Sequence, residues 1–249
     1  MDFDLPDDLI SLRDMVRQFA AATLRPHARQ WDREMALPDA LVQELGALGL
    51  LGVFVPTEFG GSGLGYLANA VIMEEIARQD GATALLLAAH NGLCTAHLLV
   101  AASAEQRARY LPKLATGEWV GAWALTEPGS GSDAAALRTR AVPDGDGWRI
   151  SGEKMFITNG ARARLFVILA RSAAGAGTKG ISAYLVERDA PGLTVGAKED
   201  KLGMRGSDTV ALGLDDVRVG PAALLGQPGQ GFVDALKVLE RGRVGIGAL

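Results

Sequence analysis

The sequence predicts an α+β protein: an N-terminal all-α domain (1–118), a middle domain built as an antiparallel β-barrel or sandwich (119–226), and the first helix of a helical bundle domain that is incomplete here (227–249). Three observations predict this. Apolar residues recur at helical spacing up to about Gly117, short β-branched and aromatic runs replace that period, and the helical period returns after Gly229. A length of 249 residues allows between one and two domains at roughly 150 residues each, with room for a large core.

Within the first domain, Leu9, Leu12, Val16, Phe19 and Thr23 repeat at three and four and give a helix one apolar face. Pro38 suits the start of a second helix, LVQELGALG, which ends at Gly46 or Gly49. A glycine-dense loop, EFGGSGLGY, follows Pro56, and the helical pattern resumes through Ala70, Met73, Ile76 and Ala77. From Gly81 to Ala104 there is no Asp, Glu, Lys or Arg, a length that raises the question of a membrane span. His90, Asn91, Gly92, Thr95 and His97 interrupt it with polar groups costly in hydrocarbon, so a buried helix pair is expected. Ser103 and Gln106 have capping-box spacing ahead of a helix ending near LPKL.

Six strands are expected in the middle domain, at 119–127, 137–142, 148–158, 165–172, 181–189 and 209–219, separated by turn clusters such as PDGDG. Short spacing without intervening helices points to antiparallel pairing. The last helix runs through Phe232, Leu236, Leu239 and Val244 and stops at Leu249 without a cap or polar tail. It reads as a helix with nothing to pack against, the first element of a third domain.

Composition excludes several classes. Lys and Arg number 25 against 29 Asp and Glu, and this mildly acidic balance argues against nucleic-acid binding, which needs clustered cations. A single cysteine, Cys94, supports neither a disulfide framework nor a thiolate metal site and reads as a small buried hydrophobe. His27, His90 and His97 are the only histidines. The last two lie seven apart on one helix face without a third ligand, so buried or interfacial roles are expected rather than metal binding. The acidic start MDFDLPDDL resembles neither a secretory signal nor a transit peptide, which predicts a cytoplasmic protein.

Gly 32 in 249 is nearly twice the usual ~7%, and the excess is clustered. Gly61, Gly63 and Gly65 fail the dinucleotide fingerprint, because Tyr66 stands where its last glycine belongs and no strand-turn-helix unit surrounds them. The stretch AWALTEPGSGSDAAA (122–136) is different in kind. A strand delivers Leu125 and Thr126 to a loop where Gly129 and Gly131 leave backbone N–H groups open beside Ser130, Ser132 and Asp133, which suits an anionic or carbonyl-rich ligand. A second segment, GEKMFITNG (152–160), again ends a strand with an aromatic, a threonine and an Asn-Gly turn.

Together these segments resemble the acyl-CoA dehydrogenase family. The family's signature, a small residue and an aliphatic residue before [ST]-E-P-x-[GA]-[GS]-S-D, is matched by Ala124, Leu125, Thr126, Glu127, Pro128, Gly129, Gly131, Ser132 and Asp133, and its K-x-[FWY]-I-[ST]-N element by Lys154, Phe156, Ile157, Thr158 and Asn159. VPTEFGGSGL (55–64), EQRARYLPKLATGE (105–118), KLGMRGSDT (201–209), DDVRV (215–219) and LLGQPGQGF (224–232) extend the resemblance along the chain.

The resemblance implies FAD held where the helical, β and incomplete domains meet. It places Trp123, Ala124, Leu125, Thr126, Gly131 and Ser132 against the flavin's polar edge and phosphates, and Phe156, Ile157 and Thr158 beside the ring system. Phe156, often Trp in relatives, keeps the stacking surface and loses the indole donor. Ser132 also approaches the CoA ester. Glu240 and Arg243 match positions near the CoA nucleotide and the site entrance, although both also suit a solvated charge pair on a helix face.

The implied reaction is α,β-dehydrogenation of an acyl-CoA thioester to a trans-2-enoyl-CoA. A carboxylate removes the α-proton, and electrons pass to an electron-transferring flavoprotein or similar acceptor. Most relatives carry that Glu in the C-terminal domain, past Leu249; a minority carry it at the position matching Gly242, and glycine is no base. The sequence therefore supplies no catalytic residue. The family further implies a homo-oligomer, dimer or tetramer. Two other readings stand beside this one: a flavin-dependent monooxygenase or nitroalkane-type oxidase on the same fold, and a truncated non-catalytic binding or assembly module.

Overall fold

The computed structural model describes residues 4–173 and 175–249. Helix α1 (Asp7–Phe19) runs into a π-helical turn at Ala20–Leu24, followed by α2 (Ala28–Glu34), α3 (Asp39–Ala47), α4 (Tyr66–Ala77), α5 (Gly81–Ala89), α6 (Ala96–Ala101) and α7 (Ala104–Ala115). The α1 face begins as the heptad-like spacing requires, with Leu9 and Val16 buried. The π turn then inserts one residue per turn, so Ala20 and Leu24 take the core positions and Thr23 is only half-buried. Helix α3 follows Pro38 and closes before Gly49, whose φ of 73° is the left-handed conformation glycine tolerates. Helix α7 carries the expected reciprocal cap: Ser103 Oγ accepts from the Gln106 amide at 3.2 Å, and the Gln106 side chain accepts from the Ser103 amide at 3.0 Å.

The uncharged stretch forms one helical run rather than a pair, because a π segment at His90–Thr95 joins α5 to α6 without a break. Gly81–Ala101 is long and apolar enough to cross a bilayer by composition, yet 67% of its apolar window is buried inside the protein. Asp80 starts it, accepting from the Ala82 and Thr83 amides.

Among the described residues the sheet has eight strands: β1 (Gly121–Ala124), β2 (Arg140–Asp144), β3 (Gly147–Thr158), β4 (Leu165–Arg171), β5 (Ile181–Glu187), β6 (Leu193–Lys198), β7 (Thr209–Val219) and β8 (Leu224–Leu225). Hydrogen-bonded neighbours follow the order β6-β7-β3-β2-β4-β5-β8, with β1 on β4. The expected antiparallel set is thus mixed, since β1 pairs β4 in parallel from Gly121↔Leu165 to Ala124↔Ile168 and β2 meets β4 in parallel at Arg140↔Arg171. Strand β1 arrives from a helix, not from a hairpin, so nothing local constrains it to antiparallel pairing.

Apolar packing fuses the helical and sheet regions. One cluster combines Cys94, Leu98, Leu111 and Leu114 from the helices with Trp123, Val167, Leu185 and Ala235. The last helix, α8 (Gly231–Ala248), shares this cluster through Ala235. It corrects the expectation of a helix without partners: Gly231, Asp234, Ala235, Val238 and Gly245 are buried, and a Cβ on Gly231 would lie 2.5 Å from the Ser182 carbonyl carbon on β5. The opposite face exposes Val233, Leu236, Val244 and Ile246.

Candidate functional site

The two glycine-containing segments leave the sheet side by side. Strand β1 ends at Ala124, and the chain beyond it is held to β3 by the Met155 amide, which donates to the Thr126 carbonyl at 2.9 Å. A tight turn follows, closed by paired backbone bonds between Glu127 and Ser130 of 2.9 and 3.1 Å. The amides of Thr126, Gly131 and Ser132 donate to no acceptor among the described residues, and Gly131 and Ser132 are exposed. Neither Gly129 nor Gly131 has any atom within 4 Å of an added Cβ, so the loop presents open backbone.

A buried ion pair supports this loop from below. Lys154, fully buried on β3, donates from Nζ to Glu127 Oε1 at 2.8 Å and to the Leu125 carbonyl at 3.1 Å. Glu127 also accepts from the Arg138 and Thr139 amides at 2.5 and 3.0 Å. Burial pushes the Glu127 carboxyl up, but Lys154 and the amide donors outweigh it and hold the group below the usual range. Burial lowers the Lys154 ammonium to about 8, against the opposing pull of Glu127.

On β3 the register with β7 shifts between Lys154 and Ile157, and Phe156 at this bulge has φ 57°. A non-glycine residue in that region is unusual. Its consequence is visible, because Phe156 is 58% exposed whereas Ile157 is buried in the sheet core. Asn159, φ 65°, ends the strand, its side-chain amide donating to the Leu86 carbonyl of α5 at 3.0 Å. Thr158 thereby lines a cavity of about 270 Å³ together with Leu85, Ala89 and Leu93 from the central helical run and Leu239, Gly242 and Arg243 from α8.

The residues implied by resemblance divide accordingly. Thr126, Gly131, Ser132, Phe156 and Thr158 have accessible atoms around the loops, whereas the side chains of Trp123, Ala124, Leu125 and Ile157 are buried and only their backbone can reach a ligand. The Trp123 indole points into the helices and donates to His97 Nδ1 at 2.9 Å. Arg243 lines the cavity, but Glu240 is exposed outside its lining, and the two form no ion pair with each other. Gly242 does line it, with Gly92 O 3.4 Å from a Cβ built there. Among the described residues no Asp or Glu belongs to the cavity lining.

Two contributors, Glu127 and Lys154, have no role assigned from sequence. Glu127 stands in the first quoted motif and Lys154 in the second, and their places there are the available signal. His90 is also buried, accepting from the Gly121 amide at Nδ1 (3.1 Å) and sharing Nε2 between the Leu51 and Leu114 carbonyls at 3.0 and 3.1 Å. Among the described residues no group of three or more His, Cys, Asp or Glu could hold a metal ion. A larger hollow of about 460 Å³, lined by Arg29, Asp32, Gln79 and Met204 among others, includes none of the residues implied for the site.

Comparisons with known proteins agree on one family. The family model described as acyl-CoA dehydrogenase, N-terminal domain, matches residues 6–118, and that described as acyl-CoA dehydrogenase, middle domain, matches residues 122–217. The human mitochondrial short-chain specific acyl-CoA dehydrogenase is 43% identical over 243 residues, 98% of this chain and 59% of that protein. The butyryl-CoA dehydrogenase structure from Megasphaera elsdenii superposes with a TM-score of 0.96 at 34% identity, covering 100% of this chain and 66% of that one. A chain from work on the electron transferring flavoprotein of Acidaminococcus fermentans and flavin-based electron bifurcation gives 0.97 at 38% identity, covering 100% and 65%. The chain therefore spans about 59% of the length of the human relative.

Proposed function

Because the chain belongs to the acyl-CoA dehydrogenase family, we propose that it forms the FAD-binding part of an enzyme that oxidises an acyl-CoA thioester to the trans-2-enoyl-CoA. The observation that carries this reading is the Met155–Thr126 backbone bond. It brings the unpartnered amides of one loop and the exposed Phe156 ring of the other to neighbouring positions, with Thr158 two residues on in the cavity wall.

That donor set fits FAD. The Thr126, Gly131 and Ser132 amides and the Thr126, Ser132 and Thr158 hydroxyls suit the polar edge and phosphates of the cofactor, and the Phe156 ring suits its apolar ring surface. Bound FAD supplies acceptance of the β-hydride. The protein's own residues orient the reactants: Leu85, Ala89, Leu93 and Leu239 give the cavity an apolar wall for an acyl chain and exclude water from it. Arg243 puts a cation at the same wall, suited to the anionic groups of CoA. We assign the proton-abstracting carboxylate to none of the described residues. The names of the short-chain and butyryl-CoA relatives support a short acyl group, and the family resemblance supports an electron-transferring flavoprotein as acceptor and a homo-oligomeric state.

The test is anaerobic titration of the complete enzyme of which this chain is the proposed part, purified and FAD-loaded, with acyl-CoAs of graded length. Loss of the visible flavin absorbance with a short-chain thioester is expected. Stable FAD binding with no bleaching by any acyl-CoA, together with oxygen consumption on a nitroalkane, would replace this reading by an oxidase.

A further inference from the structure

Lys154 is a fully buried cation that the proposed reaction does not use directly. Replacing a buried ion pair by apolar groups of similar volume often leaves stability unchanged or improved, so stability alone is a weak reason for its presence. Its contacts suggest a different task. Of its two acceptors, one is a backbone carbonyl, that of Leu125, at 3.1 Å. Among the described residues no peptide bond is cis. In a planar trans peptide, a Leu125 carbonyl turned toward Lys154 forces the Thr126 N–H to point the opposite way, away from the Lys154 ammonium. The next carbonyl, of Thr126, is fixed by the Met155 amide. Glu127 then anchors Lys154 itself while its carboxylate gathers the Arg138 and Thr139 amides, closing the base of the loop.

We propose that Lys154 is a positioning residue for the flavin: by holding the Leu125 carbonyl it aims the Thr126 amide at the cofactor, where a fixed donor stabilises the more negative, reduced form. The inference rests on the reading of this cleft as an FAD site. The donor gains most when charge accumulates on the ring, so its loss acts more strongly on reduced than on oxidised flavin.

The experiment compares FAD affinity and the two-electron midpoint potential of the loaded wild-type protein with Lys154→Met and with the double variant Lys154→Met, Glu127→Gln. The double variant leaves no unpaired buried charge that would by itself oppose folding. In both variants FAD is expected to bind at least tenfold more weakly. Binding of reduced flavin falls a further tenfold, which lowers the potential by about 30 mV. A folded double variant with wild-type affinity and potential overturns the inference. So does a double variant that fails to fold, which assigns the pair to the core instead. A wild-type protein that takes up no FAD overturns the functional reading itself, an outcome distinct from an unchanged potential in the variants.

Discussion

Acidification from pH 7.5 to pH 5 destabilises this protein by an amount that two histidines set. His90 and His97 are both buried, and burial lowers each to about 4 from the ordinary 6.5. Backbone bonds to Leu114 and Leu51 offset this in part for His90, and the Asp234 carboxylate does so for His97. Above pH 6.5 both are neutral folded or unfolded, and their contribution is complete. Between 6.5 and 4 the unfolded chain takes up protons that the folded chain does not, so stability falls as pH falls. One unit is 1.36 kcal/mol, so at pH 5 each histidine removes about 2 kcal/mol and the pair about 4 kcal/mol. That is a large share of a typical 5–15 kcal/mol. With a urea slope of roughly 2.5 kcal/mol per molar, the unfolding midpoint drops by about 1.5 M. Tryptophan fluorescence follows the transition, and nitrogen-detected NMR of the imidazoles reads the protonation state. The two rings should remain neutral at pH 5 with the proton on Nε2, because each Nδ1 accepts a hydrogen bond. His97→Leu should abolish half of the pH dependence and cost about 1–3 kcal/mol at pH 7.5, since the Trp123 indole loses its acceptor. A midpoint that is flat between pH 6.5 and 5, or an imidazole titrating near 6.5, refutes the reasoning.

Two glycines of α8 should respond to alanine with opposite signs. Gly231→Ala drives a methyl against the β5 backbone at 2.5 Å and should cost about 1–3 kcal/mol, whereas Gly242→Ala meets nothing closer than 3.4 Å and should gain up to about 1 kcal/mol of helix propensity in the same thermal melts. Ser103→Ala removes the α7 cap and should lower stability by about 1 kcal/mol, measured by urea unfolding at pH 7.5. Arg17→Ala strips the buried Glu75 carboxylate of a bidentate partner at 2.7 and 3.0 Å and should lower stability by the same measurement. Arg17 hydrogen bonding holds Glu75 below its ordinary value, so the pair's contribution is present above that value and lost as pH falls below it.

By itself the sequence determined what is periodic or capped over a few residues. The α1 face, the Ser103–Gln106 box, the strands read at 148–158, 165–172 and 181–189, each within two residues of its observed span, and the two loops of the site all declare themselves through spacing, turn residues or motif. Strand β6 escaped because it is an exposed edge strand interrupted by glycine, and β8 because two residues carry no period. Tertiary structure alone decided which partner each element found. Nothing local distinguishes a parallel from an antiparallel neighbour for β1, and its direction is fixed by β4, forty residues away in the chain. The π turn that shifts the α1 face onto Ala20 and Leu24 is likewise settled by packing. The same holds at the site: the family resemblance implies only that Trp123 lies near a cofactor, whereas the space available sends its indole to His97, and burial turns the motif residues Lys154 and Glu127 into the support beneath the loop. Spacing is a property of the chain, whereas burial and hydrogen-bond partnership are properties of what the rest of the chain brings alongside.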